Sequence, residues 1–480
     1  MKISNKILFL SSITIIIFLL FGSAIFIINS NSNLAKKAKS LISTDTKMFL
    51  KRNVFVHEYN KEILKQLRKD KLEIYSKNSL IAKLIKKQKN IEFKKNEKVK
   101  IFNIDGTKYS ITRYATNYLT RSYPYGINVR SSSFIEALNE DIWLVTADGT
   151  IIFFTPENLK KGIFEAKILK SNIENILIDS KIYKDKSEFG IKDILIKNNQ
   201  LYVSYTNEIK SNCYNISILK TEINKTYLNF EKFYEPSFCV NEKNKYGEFH
   251  AIQSGGRMKF LDENNLLLTT GEFRYRILAQ DKNKIFGKIL KINIENKSTE
   301  VLGMGLRNSQ GLFVDKKNNL IFLTDHGPLG GDEINVLNLN NKIVENFGWP
   351  IASYGEHYHA SKHPERYSKA PLYKSHIKYD FKEPIKYFEK SIGISEILKI
   401  NNDFFDKKDE KIRLLVSSLG DNISEGDMSL HYLVFDKEFN GKQHEIININ
   451  NRIRDLKYLK KEKKIILFLE NAELALIEKI

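Results

Sequence analysis

No signature of nucleotide or hydrolytic chemistry occurs in this chain of 480 residues. It has no P-loop, no GxSxG elbow, no HExxH pair and no GxGxxG behind a strand. Gly303-Met-Gly305 precedes a strand-like run instead of following one, so it is not a dinucleotide fingerprint. These absences leave no support for an ATP- or NAD-dependent enzyme. Cysteine is scarce, with two residues and no CxxC spacing, which removes a thiolate zinc site. The chain is strongly basic, with a net charge of +20. No nucleic-acid-binding motif accompanies that charge, so it does not argue for such a partner. Its distribution explains much of it: Leu34 to Lys100 holds twenty Lys and Arg against seven Asp and Glu.

The N-terminus carries the one long apolar run. Ile7 to Ile28 contains no charge, and 22 residues span a bilayer core at about 1.5 Å per residue. Lys2 and Lys6 precede it, which predicts a cytoplasmic N-terminus and an exported remainder. The run exceeds the apolar core of a cleaved signal peptide, and no A-x-A site follows. The expectation is a single-pass anchor in the inner membrane, with the bulk of the chain in the periplasm. Cys213 and Cys239 suit an exporting route, where they form one disulfide or remain two buried thiols. Residues 30–97 read as a basic helical stalk, with Ile63, Leu64, Leu67 and Leu72 near helical spacing and a second helix over Ser79–Lys89. Its positive face either meets anionic headgroups or is a solvated spacer.

From Lys98 the texture changes to short strands. Val99–Asn103 is the first. Ile142–Ala147 and Thr150–Thr155 flank Asp148-Gly149, a hairpin signal. Asp193–Lys197 and Leu201–Tyr205 flank an Asn-rich turn. Leu266–Thr270, Leu320–Thr324, Arg413–Ser417 and Lys464–Leu469 repeat the pattern. Such repetition predicts an all-β repeat architecture, without separating a propeller from a sandwich or β-helix.

The densest stretch is Gly303 to Pro350. It holds Arg307-Asn308-Ser309-Gln310-Gly311, then Asp325-His326-Gly327-Pro328, then Gly331-Asp332-Glu333-Ile334-Asn335, then Phe347-Gly348-Trp349-Pro350. In this order the motifs resemble those of the glucose/sorbosone dehydrogenase family, from about Gln200 to the C-terminus. The resemblance implies an all-β, six-bladed β-propeller over residues 98–480, preceded by an N-terminal transmembrane helix (residues 1–29) and the short helical stalk. It also implies an aldose dehydrogenase using pyrroloquinoline quinone (PQQ) and calcium.

The same resemblance assigns roles residue by residue. Arg307 and Asn308 lie beside the quinone, Arg452 and Arg454 of the R-x-R-D run hold its carboxylates, and the carbonyls of Gly327 and Pro328 bind calcium. Guanidinium forks suit carboxylates, and backbone oxygens suit calcium. The family's catalytic motif, HxGGR, falls on Gln253-Ser254-Gly255-Gly256-Arg257. Its base position therefore holds Gln253, which cannot take a proton at neutral pH. His250 lies three residues earlier, on the opposite face of an extended strand, and serves as base only if the backbone bulges. The family's lysine falls at Gly420. Two functions follow. One is hydride transfer from a sugar hydroxyl to the quinone, with electrons passing to a membrane quinone or cytochrome. The other is a propeller that binds a sugar, glycan or protein without turnover. Asp332 and Glu333 brace their loop, His326 is either functional or a packed turn residue, and His357 and His359 are more often structural than metal ligands.

Overall fold

The computed structural model describes residues 89–480 except 117–132, 139–140, 148, 179–189, 401, 406 and 421, plus six helical residues between Ile63 and Glu73. The Ile7–Ile28 run and most of the stalk lie outside the described residues. Among those described, no helix is long and apolar enough to cross a membrane. The chain divides into units Met1–Leu80 and Ile81–Ile480, and the second holds every described strand.

The expected hairpins form. Asp141–Thr146 pairs with Ile151–Phe154, and Ile191–Lys197 pairs with Gln200–Lys210. Between the latter two, Asn198 and Asn199 take φ of 49° and 58°. Asparagine tolerates that left-handed geometry, which matches the twist of the flanking strands. Strands also cover Lys100–Ile104, Asn265–Thr270, Leu320–Asp325, Ile412–Ser418 and Lys464–Leu469. β-Structure begins at Asn90, inside the stretch read as stalk. In Asn90–Lys95, Ile91 and Phe93 are buried while Glu92 and Lys94 are not, a period of two that the surrounding lysines mask.

The described strands form five sheets, all antiparallel apart from short two-residue pairings. Six strands lead the successive runs: Ser133–Leu138, Ile191–Lys197, Gly255–Phe260, Ser309–Asp315, Ile394–Lys399 and Ile453–Leu459. Each leading strand lies against the next, and the last lies against the first. The largest sheet contains both ends of that cycle. Its C-terminal part, Ile453–Leu459, Lys464–Leu469 and Glu473–Lys479, is completed by Thr107–Thr116 from the N-terminal side. Apolar side chains such as Leu268, Leu290, Val203 and Ile218 fill the space between sheets.

Five of the six leading strands have a register shift near their start: between Ile191 and Asp193, Gly255 and Met258, Ser309 and Gly311, Ile394 and Ile397, and Ile453 and Asp455. Bulges re-aim side chains and cluster beside functional sites. One of them requires glycine. Gly256 has φ +112°, and a Cβ there would lie 2.3 Å from Lys192 Cβ.

Cys213 and Cys239 form a disulfide, so neither is a free thiol. It ties the start of Cys213–Glu222 to Val240–Asn241, which already pairs with it. A crosslink over 26 residues restricts the unfolded chain and stabilises by about 3 kcal/mol.

Candidate active site

The heads of the leading strands converge, and an ionic cluster lies where they meet. Arg257, placed by the bulge that Gly256 allows, is its hub. Its Nη1 lies 3.2 Å from Asp193, 3.0 Å from Glu396 and 3.3 Å from Asp455. Its Nε donates to Gln310 O and its Nη2 to Arg454 O. Each carboxylate also takes a backbone N–H from a neighbouring leading strand: Asp193 from Met258, Glu396 from Leu312 and Asp455 from Ile135. Burial raises Asp455 to about 6, against Arg257 and Lys457. Burial likewise raises Asp193, while Arg257 and the nearby lysines overcome burial at Glu396 and lower it. Arg257, singled out by sequence as catalytic, thus clamps four leading strands.

Above this cluster lies a polar group with different chemistry. Gln253 ends a turn in which its N–H donates to His250 O. His250 therefore belongs to the same turn and not to an extended strand. With its amide nitrogen toward Glu272, Gln253 donates to Glu272 Oε1 at 2.9 Å and accepts from Arg307 Nη2 at 2.9 Å. The carboxylate and the guanidinium dictate that orientation. Glu272 is fully buried, and its Oε2 has no hydrogen-bond partner among the described residues. Burial pushes its carboxyl up to about 8, against Arg307 and Arg276 and with the help of Glu248 and Asp325.

Arg307 reaches further. Its Nη1 donates to His326 O at 2.6 Å and Gly327 O at 2.8 Å, and its guanidinium lies 5.5 Å from the Trp349 ring centre. Buried Asp325 accepts the N–H groups of Arg307 and Asn308 at 2.8 and 2.7 Å, which sets the angle of this corner. Asn308 accepts from Gly255 N and Gln310 Nε2, so it joins two leading strands. Asp332 braces the glycine loop, accepting from Gly327 N, Ser391 and Ile394 N. Glu333 is buried against Asn335 and 3.5 Å from His376. His326 Nδ1 is 3.2 Å from Asp332. His357 is buried and bonded to Ala370 O, and among the described residues no group of three or more His, Cys, Asp or Glu could hold a metal.

These contacts test the two implied groups. The Gly327 carbonyl faces the Arg307 cation, and Pro328 O accepts from the Tyr358 hydroxyl at 3.1 Å. A divalent ion on those oxygens would sit beside a guanidinium, so calcium does not fit this arrangement. A carboxylate-bearing quinone does fit. Arg452 and Arg454 both clamp buried Glu470. Despite its burial, the two arginines hold that carboxyl at about 2. Two guanidiniums against one carboxylate leave one net positive charge, and both arginine side chains stay partly exposed. The lysine position differs: a Cβ on Gly420 would lie 2.0 Å from an Asp427 oxygen.

The structure thus brings Gln253, Arg307 and Asn308 together at one corner and joins Arg452 with Arg454 through Glu470 at another strand head. Sequence reading missed Glu272, Glu470 and Asp427. Glu272 lies two residues past a predicted strand, which was the one available signal. Nothing in the chain pairs Glu470 with the R-x-R-D run across a hairpin.

The glucose/sorbosone dehydrogenase family model matches residues 163–477. Aldose sugar dehydrogenase YliI of Escherichia coli is 30% identical over 171 residues, covering 33% of this chain and 43% of that protein. The chain therefore matches less than half the length of such curated relatives. The solved soluble aldose sugar dehydrogenase of E. coli superposes with a TM-score of 0.54 at 18% identity, covering 73% of this chain and 96% of that one. The PQQ-bound aldose sugar dehydrogenase of Streptomyces coelicolor gives 0.51 at 16%, covering 78% and 99%. At these identities the likeness shows the fold.

Proposed function

We propose a function from one premise: the chain belongs to the glucose/sorbosone dehydrogenase family. It is a sugar dehydrogenase-like oxidoreductase that takes an aldose or related hemiacetal at the Gln253, Glu272 and Arg307 corner, with PQQ as cofactor. The observation that carries this is the Arg307–Gln253–Glu272 chain of contacts at two adjacent strand heads, with the two-arginine clamp reaching it through the Arg454–Gln310 hydrogen bond. When bound, PQQ supplies a two-electron oxidant. Arg452 and Arg454 would hold its carboxylates, and Arg307 and Asn308 would lie beside it. Calcium is no part of this reading.

Titrating PQQ into the full-length protein, with calcium and then with EDTA, tests it. Binding in both conditions is expected, and Arg452→Ala weakens it by about 2 kcal/mol. Calcium-dependent binding would mean that Arg307 leaves Gly327. No binding and no dye reduction with aldoses would remove the oxidoreductase reading. A second reading, recognition of a sugar or protein without turnover, draws on Glu470, which offsets the arginine pair, and on Asp427, which fills the space beside Gly420 at the lysine position. Binding without turnover would select it.

The architecture we propose is a six-bladed propeller, supported by the cycle of six leading strands. For location we propose an inner-membrane anchor with a periplasmic propeller, supported by the apolar Ile7–Ile28 run, which would keep the site near a membrane quinone or cytochrome. Carbonate washing of membranes is expected to leave the chain in the pellet. Full release into the wash would refute the anchor.

A further inference from the structure

The Gln253 amide is held as a small bidentate ligand would be. Its nitrogen donates to Glu272 and its oxygen accepts from Arg307, each at 2.9 Å. The two amide heteroatoms are bonded to one carbon and lie roughly 2.3 Å apart. A cyclic hemiacetal presents the same pattern: a hydroxyl donor and a ring-oxygen acceptor on one carbon. Glu272 Oε2 lies beside this pair, buried and with no hydrogen-bond partner among the described residues. A buried polar atom left unpaired is costly, so once Glu272 is ionised its open oxygen calls for a donor from outside.

We propose that the Gln253 amide holds the place of a substrate hemiacetal, and that Glu272 accepts the hydroxyl proton when the substrate displaces it. The substrate O–H bond breaks and a Glu272 O–H bond forms. The hydride from the same carbon goes to the ortho-quinone of the reading above, on which this proposal rests, and the hemiacetal becomes a lactone. Arg307 keeps its hydrogen bond, now to the ring oxygen. Glu272 thereby does what glutamine at the base position cannot. The charged groups facing it are Arg307 from the next strand head, Arg276 on its own loop, Glu248 paired to Arg276, and Asp325. With burial the largest influence, proton acceptance switches on as pH rises through about 8.

The test compares D-glucose with 1,5-anhydroglucitol, which lacks the anomeric hydroxyl, by calorimetry on the full-length protein from pH 6.5 to 9.5. The affinity ratio in favour of glucose is expected to rise several-fold through about pH 8 and to stay flat in Glu272→Gln. With PQQ and a dye acceptor, turnover climbs over the same range and falls about 10²-fold in Glu272→Gln. A ratio independent of pH in the unmodified protein overturns the proposal, as does an E272Q variant that turns over within threefold. Should the unmodified protein never turn over, the oxidoreductase reading falls, and the binding ratio alone decides the role of Glu272. Gln253→Ala covers the case in which E272Q fails to fold. Glucose binds it several-fold more tightly if the amide is a placeholder, and weaker binding refutes that.

Discussion

Arg257→Met is expected to cost at least about 3–5 kcal/mol and to leave little folded protein. The arginine is almost fully buried, and one of its nitrogens serves three carboxylates from three other leading strands. Its removal leaves Asp193, Glu396 and Asp455 together in a water-excluded centre, with Lys259 and Lys457 their remaining nearby cations. Methionine fills space but neutralises nothing. The sign of the pH dependence separates this from a packing defect. Without Arg257 the folded carboxyls bind protons more tightly than they do in the unfolded chain. Stability is then regained as pH falls from 7 toward 5. Urea midpoints across that range measure it. Lys232→Ala, which breaks the exposed Lys232–Glu235 pair, serves as the control and shifts stability by less than about 1 kcal/mol. An R257M midpoint within that margin of the parent would show that the cluster is not what holds the strand heads together.

Deleting residues 1–116 is expected to abolish soluble, folded protein. Thr107–Thr116 pairs with Leu474–Lys479 and closes the sheet that contains both ends of the cycle. Tyr109, Ile111 and Tyr114 on it are buried, and Tyr109 stacks 5.0 Å from Phe404 and donates to its carbonyl. Burial of each is worth roughly 1.5–3 kcal/mol, and the lost ladder exposes a long apolar edge. Together these approach the whole stability of a domain, about 5–15 kcal/mol. Soluble yield and far-ultraviolet circular dichroism report the result. A deletion to residue 88, which keeps the strand, is expected to fold. A soluble 117–480 fragment with the parent melting temperature would mean the sheet closes without this strand.

These predictions divide between what can be read along the chain and what cannot. Strand positions were legible because their signals are local. Alternating or continuous apolar runs bounded by Asn, Asp and Gly turns predicted the hairpins at Asp148-Gly149 and at Asn198-Asn199, within a residue or two. The family was legible from the spaced motifs between Arg307 and Pro350, and the arginines at 307, 452 and 454 came with it. The strand Asn90–Lys95 was obscured because lysines at its end resemble the stalk before it.

Partnership was decided in three dimensions. Arg452 and Arg454 read as open anion-binding groups, yet a hairpin returns Glu470 between them. Gly327 reads as a calcium ligand, yet a guanidinium 20 residues away reaches its carbonyl. Gln253 reads as a lost base, yet the corner built by Asp325 sets it between Glu272 and Arg307. The reason is physical. Periodicity and turn chemistry act over a few residues, and the chain states them directly. The charge state and reach of a buried side chain depend on bulges and on neighbours brought in by other strands, and those exist only once the sheets have closed around them.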